Sequence, residues 1–191
     1  MRLFIAIEMH RSVEDAAREV IAELRERTAR LAPRARITWA VSERLHVTVR
    51  FIGEADEARA LAIRSALGAT IAAPVFDLTV EGVGAFPPKG PPRVLWAGLT
   101  DGRTAMIDVE RAVAGRLDTI VAAEERQYSP HLTLARVKEP AGLARAALLE
   151  GIEARHFGRV HVDAITLFES RLSPKGPTYV PLQRTALRRR T

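Results

Sequence analysis

Hydrophobic and polar positions along the chain follow two periods, and the switches between them mark its elements. Residues 1–8 form a nearly unbroken apolar run, the pattern of a buried first strand. Over 12–32, Val13, Ala17, Val20, Ile21 and Leu24 recur at helical spacing behind Ser12, a suitable N-cap, and Pro33 ends the run. "RITWAV" and "LHVTVRFIG" then read as two strands joined by the short turn "SERL". A second helix is predicted over 56–73, stopped by Pro74, followed by an alternating strand over 75–86, a Pro/Gly loop over 87–92 and a strand over 93–99.

After Thr100 a third helix fits 101–123 despite Gly102 and Gly115. "HLTLARV" is a strand, 140–152 a short helix opened by Pro140, and 157–170 one long strand. "TYVPL" reads as a short edge strand, because Pro181 has no N–H to give a ladder. The Arg-rich end, 184–191, is expected to be a flexible, solvated tail. These elements predict an α+β fold with mostly antiparallel sheets, in a single domain spanning 1–191.

Within that pattern one tetrad occurs twice: "HVTV" at His46 and "HLTL" at His131. On a strand, successive side chains point to opposite faces, so His46 and Thr48 share one face while Val47 and Val49 take the other. The same holds for His131 and Thr133 against Leu132 and Leu134. Two imidazoles with ordinary pKa values of about 6.5 can divide proton transfer near neutral pH, one taking a proton and one giving it. Threonine hydroxyls beside them are compact donors for the non-bridging oxygens of a phosphate. The set suits proton transfer at a phosphodiester and calls for no cofactor and no metal. From the composition, such a pair among five histidines arises by chance in roughly a few per thousand chains. Of the other three, His10 falls in a loop, while His156 and His161 lie at odd spacing, which predicts opposite faces of one strand rather than a metal pair.

Composition changes this picture little. Cysteine is absent, which removes disulfides and thiolate metal sites and makes the cytoplasm the expected location. No apolar run is long enough to span a membrane, and no membrane partner is expected. The net charge of +6 is almost wholly arginine, with Lys89, Lys138 and Lys175 the only lysines; such a surface permits an anionic partner without requiring one. Trp39 and Trp96 are expected to pack in the core.

The paired tetrads resemble the signature of the two-histidine phosphoesterases. The chain most resembles the bacterial RNA 2',3'-cyclic phosphodiesterases, formerly called 2'-5' RNA ligases, through "RLFIAIE", "LHVTVRFIGE", "FPPKGPPRVLWAGL", "YSPHLTLAR" and "FESRLSPKGPTYVPL". The resemblance implies a bilobal, pseudo-twofold fold: two antiparallel sheets facing a central groove, with helices packed outside. It implies opening of a terminal 2',3'-cyclic phosphate to a 2'-phosphomonoester, with His46 as proton donor, His131 as proton acceptor, and Thr48 and Thr133 on the non-bridging oxygens. The partner it implies is an RNA end bearing a 2',3'-cyclic phosphate; the sequence leaves small cyclic nucleotides open as substrates, and a monomer is expected because no unpaired apolar helix or heptad run stands out.

By the same resemblance Phe51 and Arg136, five residues after each histidine, flank the terminal nucleotide. Strict alternation would turn both away from the histidines, so the carry-over requires the strands to twist or bulge. Arg50 shares parity with His46 and Thr48 and is the candidate that parity itself supplies for a groove cation. Two other functions use the same residues: ATP-independent 2'-5' ligation by the reverse reaction, and a non-catalytic module that binds RNA ends.

Overall fold

The computed structural model describes residues 1–124, 126–172 and 176–189. Strand β1 (Arg2–Glu8) explains the layering. Its residues 3–7 are all buried, but on two sides. Leu3, Ile5 and Ile7 enter the main core, whereas Phe4 and Ala6 join Phe168 and Tyr179 in a second, smaller cluster. The sheet therefore has a helix-covered side and an open side, and side-chain alternation assigns each residue to one of them.

The remaining elements are α1 (Arg11–Leu31), β2 (Arg36–Trp39), β3 (His46–Glu54), α2 (Glu57–Ala66), β4 (Ile71–Pro74), β5 (Phe76–Phe86), β6 (Val94–Leu99), α3 (Arg103–Leu117), β7 (Leu132–Glu139), α4 (Arg145–Leu149), β8 (His156–Val162), β9 (Ala164–Arg171) and β10 (Thr178–Arg188). The strands form a ten-stranded sheet in the order β4-β10-β9-β1-β3-β7-β6-β5-β8, with β2 also on β7. All pairs are antiparallel except β10 with β4. This is a mixed α/β fold. In hydrogen bonding it is one path rather than two separate sheets, and the join between β3 and β7 is the single pair Val47↔Leu132. On the covered side α1 lies against β7, β8 and α4, and α3 against β3, β4 and α2. The stripe Val13, Ala17, Val20, Ile21 and Leu24 is the buried face of α1, although His10, not Ser12, caps it: its Nδ1 accepts from the Ser12 amide.

Several elements depart from the periodicity. Helix α2 stops at Ala66, and 71–74 is the strand β4, added in parallel to β10. The C-terminal segment is not frayed from 184: β10 runs to Arg188, with Leu187 in the core and the buried Thr185 hydroxyl donating to the Leu67 carbonyl. Pro181 is tolerated in so long a strand because it stands at a register shift against β9. The long strand over 157–170 bends at Asp163 into β8 and β9, which serve different parts of the sheet. Residues 173–175, 190 and 191 lie outside the described residues, and with them Lys175 and the middle of "FESRLSPKGPTYVPL". Among the described residues no helix is long and apolar enough to cross a membrane.

Candidate active site

The join between β3 and β7 places the two tetrads side by side. Because Val47 pairs with Leu132 in an antiparallel sense, His46 and Thr133 flank the pair at one end, and Thr48 and His131 at the other. Val47 and Leu132 are fully buried on the helix side, so the histidines and threonines point to the open side. The arrangement has an approximate local twofold about the Val47–Leu132 pair.

Beyond each threonine both strands bulge. On β3, Thr48 is opposite Ala6 but Arg50 is opposite Ile5, so Val49 is the extra residue. On β7, Thr133 is opposite Trp96 and Ala135 opposite Leu95, so Leu134 is the extra residue. A bulge of one residue inverts parity from there on. It brings Phe51 and Arg136 to the side of the histidines, where both are exposed, Phe51 at 58%.

The same bulge removes Arg50, which is a correction to the parity argument. Arg50 turns to the helix side and is only 8% exposed. Its Nη1 meets Glu110 Oε1 on α3 at 3.0 Å and its Nη2 donates to the Ala122 carbonyl at 2.9 Å. It is a buried structural cation, not a groove cation.

The two imidazoles are held alike. His46 Nδ1 lies 2.9 Å from the Arg44 carbonyl and His131 Nδ1 2.7 Å from the Ser129 carbonyl, in each case two residues upstream. A carbonyl can only accept, so Nδ1 carries the proton and Nε2 is left with its lone pair in the neutral ring. Aromatic rings fix the planes: Phe4 and Tyr179 stand 4.9 and 5.1 Å from His46, and Phe86 stands edge-on 5.2 Å from His131. Burial pushes both imidazoles below the ordinary histidine range. The carbonyl hydrogen bond opposes this in each, the Arg136 charge adds to it in each, and Glu8 opposes it at His46 alone. Two equivalent nitrogen bases, two hydroxyls and one cation thus converge on one face, a set able to move two protons at a phosphorus centre.

Comparison with known proteins gives the family. The LigT like phosphoesterase family model matches residues 12–96 and 107–179. This chain belongs to the LigT-like phosphoesterases. The RNA 2',3'-cyclic phosphodiesterase of Thermotoga maritima is 32% identical over 180 residues, covering 94% of this chain and 91% of that protein. Its counterpart from Archaeoglobus fulgidus is 30% identical over 183 residues, 96% and 98% of the two chains. Among solved structures, one from Thermus thermophilus superposes with a TM-score of 0.75 at 27% identity over 100% of both chains. Escherichia coli LigT complexed with 3'-AMP gives 0.68 at 25% identity over 97% of both.

In this LigT-like phosphoesterase several open-side residues escape a reading of single strands. Glu8, Phe4 and Tyr179 stand around His46, and Phe86, with Trp96 beside it, stands against His131, because β1, β10, β5 and β6 pair where they do. Trp96, opposite Thr133, is half-buried on the open side rather than in the core. Its ring lies across Gly84, where an added Cβ would come within 2.3 Å of it. Trp39 does pack against the main core, with Arg25 over its ring at 5.6 Å. Tyr128 ties the segment before the second tetrad to β3, its hydroxyl donating to the Thr48 carbonyl at 2.8 Å.

His156 and His161 share the exposed face of β8, not opposite faces, because a register shift between Val80 and Glu81 intervenes. Each meets a carboxylate on β5, Glu81 at 3.9 Å and Asp77 at 2.8 Å. Among the described residues no group of three or more His, Asp or Glu is placed to hold a metal.

Proposed function

We propose that this protein hydrolyses the 2',3'-cyclic phosphate at the end of an RNA to a 2'-phosphomonoester, by two-histidine acid–base catalysis that needs no metal. The observation that carries this reading is the matched pair of imidazoles, each with Nδ1 tied to its own upstream carbonyl and Nε2 free for chemistry. The Thermotoga and Archaeoglobus relatives both bear the name of this activity.

In the reaction, His131 Nε2 takes a proton from water as its oxygen attacks phosphorus. The P–O3' bond breaks, and His46, protonated at Nε2, gives its proton to the departing O3'. The products are a 2'-phosphomonoester and a 3'-hydroxyl; the histidines exchange protons with solvent to reset. Thr48 and Thr133 donate to the non-bridging oxygens as negative charge grows there. Phe51 and Arg136, on the same face, flank the terminal nucleotide by stacking and by charge. The enzyme acts as a monomer in the cytoplasm, a location that fits a chain without cysteine.

The direct test is a short RNA ending in a 2',3'-cyclic phosphate, incubated with the protein in excess EDTA and followed by phosphorus NMR. The expected product is the 2'-phosphomonoester alone. A 3'-phosphomonoester would reverse the assignment of the leaving group, and activity lost to EDTA but restored by a divalent cation would sink the metal-free mechanism. Thr48→Ala and Thr133→Ala are each expected to lower kcat by roughly 10- to 1,000-fold, as loss of a donor to a developing oxyanion does. A rise in KM with kcat unchanged would instead mean uniform binding of the phosphate.

A further inference from the structure

The two tetrads have matching surroundings, so a difference between them carries information. Along β1, Glu8, Ala6 and Phe4 stand opposite His46, Thr48 and Phe51. Along β6, Trp96 and Val94 stand opposite Thr133 and Arg136, with the same one-residue slip between them. Ala97 pairs with Leu132, which puts Gly98 across from His131. Where His46 faces a carboxylate, His131 faces a residue with no side chain. Position 98 has no room for one, since a Cβ there would come within 2.8 Å of the Glu81 carbonyl oxygen.

The carboxylate is also held in place. Thr166 on β9, only 4% exposed, donates its hydroxyl to Glu8 Oε2 at 2.9 Å. Thr166 pairs with Ala6, so the bond tethers the exposed Glu8 carboxylate along the open side of the sheet. Directly opposed residues of an antiparallel pair have Cβ atoms about 5 Å apart, within range for a carboxylate to favour an imidazolium.

We propose that Glu8 is the positioning residue that makes the two alike imidazoles different, biasing the proton toward His46 over His131 so that His46 serves as the acid and His131 as the base. The inference rests on the two-histidine hydrolysis proposed above and supplies a physical reason for its division of labour. Among the described residues, the charged or titratable groups facing His46 are Glu8 from β1, Arg136 from β7 and the Tyr179 phenol from β10. Arg136 acts on both histidines in the same sense and cannot distinguish them, whereas Glu8 acts on one.

Glu8→Gln preserves size and the bond from Thr166 while removing the charge. Imidazole NMR titration of the substrate-free protein is expected to show the His46 midpoint fall by about 0.5–1 pH unit, with His131 unmoved. In kcat/KM against pH, which reports the free enzyme, the alkaline limb should move down by the same amount and the acid limb stay. Glu8→Asp should restore part of the shift. A His46 midpoint that does not move, or equal shifts at both histidines, would overturn the proposal. If Glu8→Gln does not fold, Thr166→Val, which frees the carboxylate, should give a smaller shift of His46 in the same direction, and no shift there would overturn it equally. The titration needs no substrate, so it is read separately from whether the protein turns over a cyclic phosphate.

Discussion

Replacing His46 by alanine is expected to lower kcat on a 2',3'-cyclic phosphate end by about 10²- to 10⁴-fold, and His131→Ala to do the same. Each imidazole moves one proton in the same step, so losing either leaves the other without its counterpart. The double variant should therefore be little worse than either single one, because groups acting as a unit are strongly non-additive. The pH profiles should separate the roles. The wild-type bell reports both groups together, its acid limb set by the base and its alkaline limb by the acid. His46→Ala should lose the alkaline limb and His131→Ala the acid limb. Near-wild-type turnover in either variant, with the fold intact by circular dichroism, would end the two-histidine reading. Both side chains are half-exposed on the open side, so neither change opens a cavity in the main core.

The second large effect concerns stability. Arg50→Met is expected to destabilise the fold by about 3 kcal/mol while leaving kcat/KM of the folded protein unchanged. Arg50 is buried between β3 and α3, and its removal leaves Glu110, itself only 17% exposed, without its cation and the Ala122 carbonyl without its donor. Pairing Arg50→Met with Glu110→Leu should recover much of the loss, since replacing both members of a buried ion pair by apolar groups is often close to neutral. Urea midpoints of the three proteins measure this. An unchanged midpoint for Arg50→Met together with a fall in kcat/KM would mean that Arg50 serves substrate after all.

The two effects come from neighbouring residues of one strand and separate at one bulge. Up to Thr48 the strand delivers chemistry to the open side; from Arg50 the residue of that parity delivers a charge to the core. The matching bulge on β7 keeps Arg136 outside, where its charge bears on both histidines. The tetrads are thus repeated together with the slips that follow them, and the site is built from two copies of one local device. Departures from that repeat, Glu8 against Gly98 above all, are where the two halves become chemically distinct.

Local features of the site were legible before any fold was known. The spacing of His46 with Thr48 and of His131 with Thr133 put each pair on one face of a strand, because side-chain alternation needs no partner. The apolar stripe of α1 and the residue types fit for proton transfer were legible for the same reason. Every question of register, by contrast, was settled by tertiary pairing. Whether the two tetrads adjoin depends on one pair, Val47↔Leu132, between strands far apart in the chain. Which side Arg50, Phe51 and Arg136 take depends on bulges set by β1 and β6. An Arg-rich terminus became the strand β10 because Leu187 found a place in the core and Thr185 an acceptor on Leu67. A shift of one residue in pairing exchanges the faces of a strand, and pairing is settled by contacts that sequence periodicity does not contain.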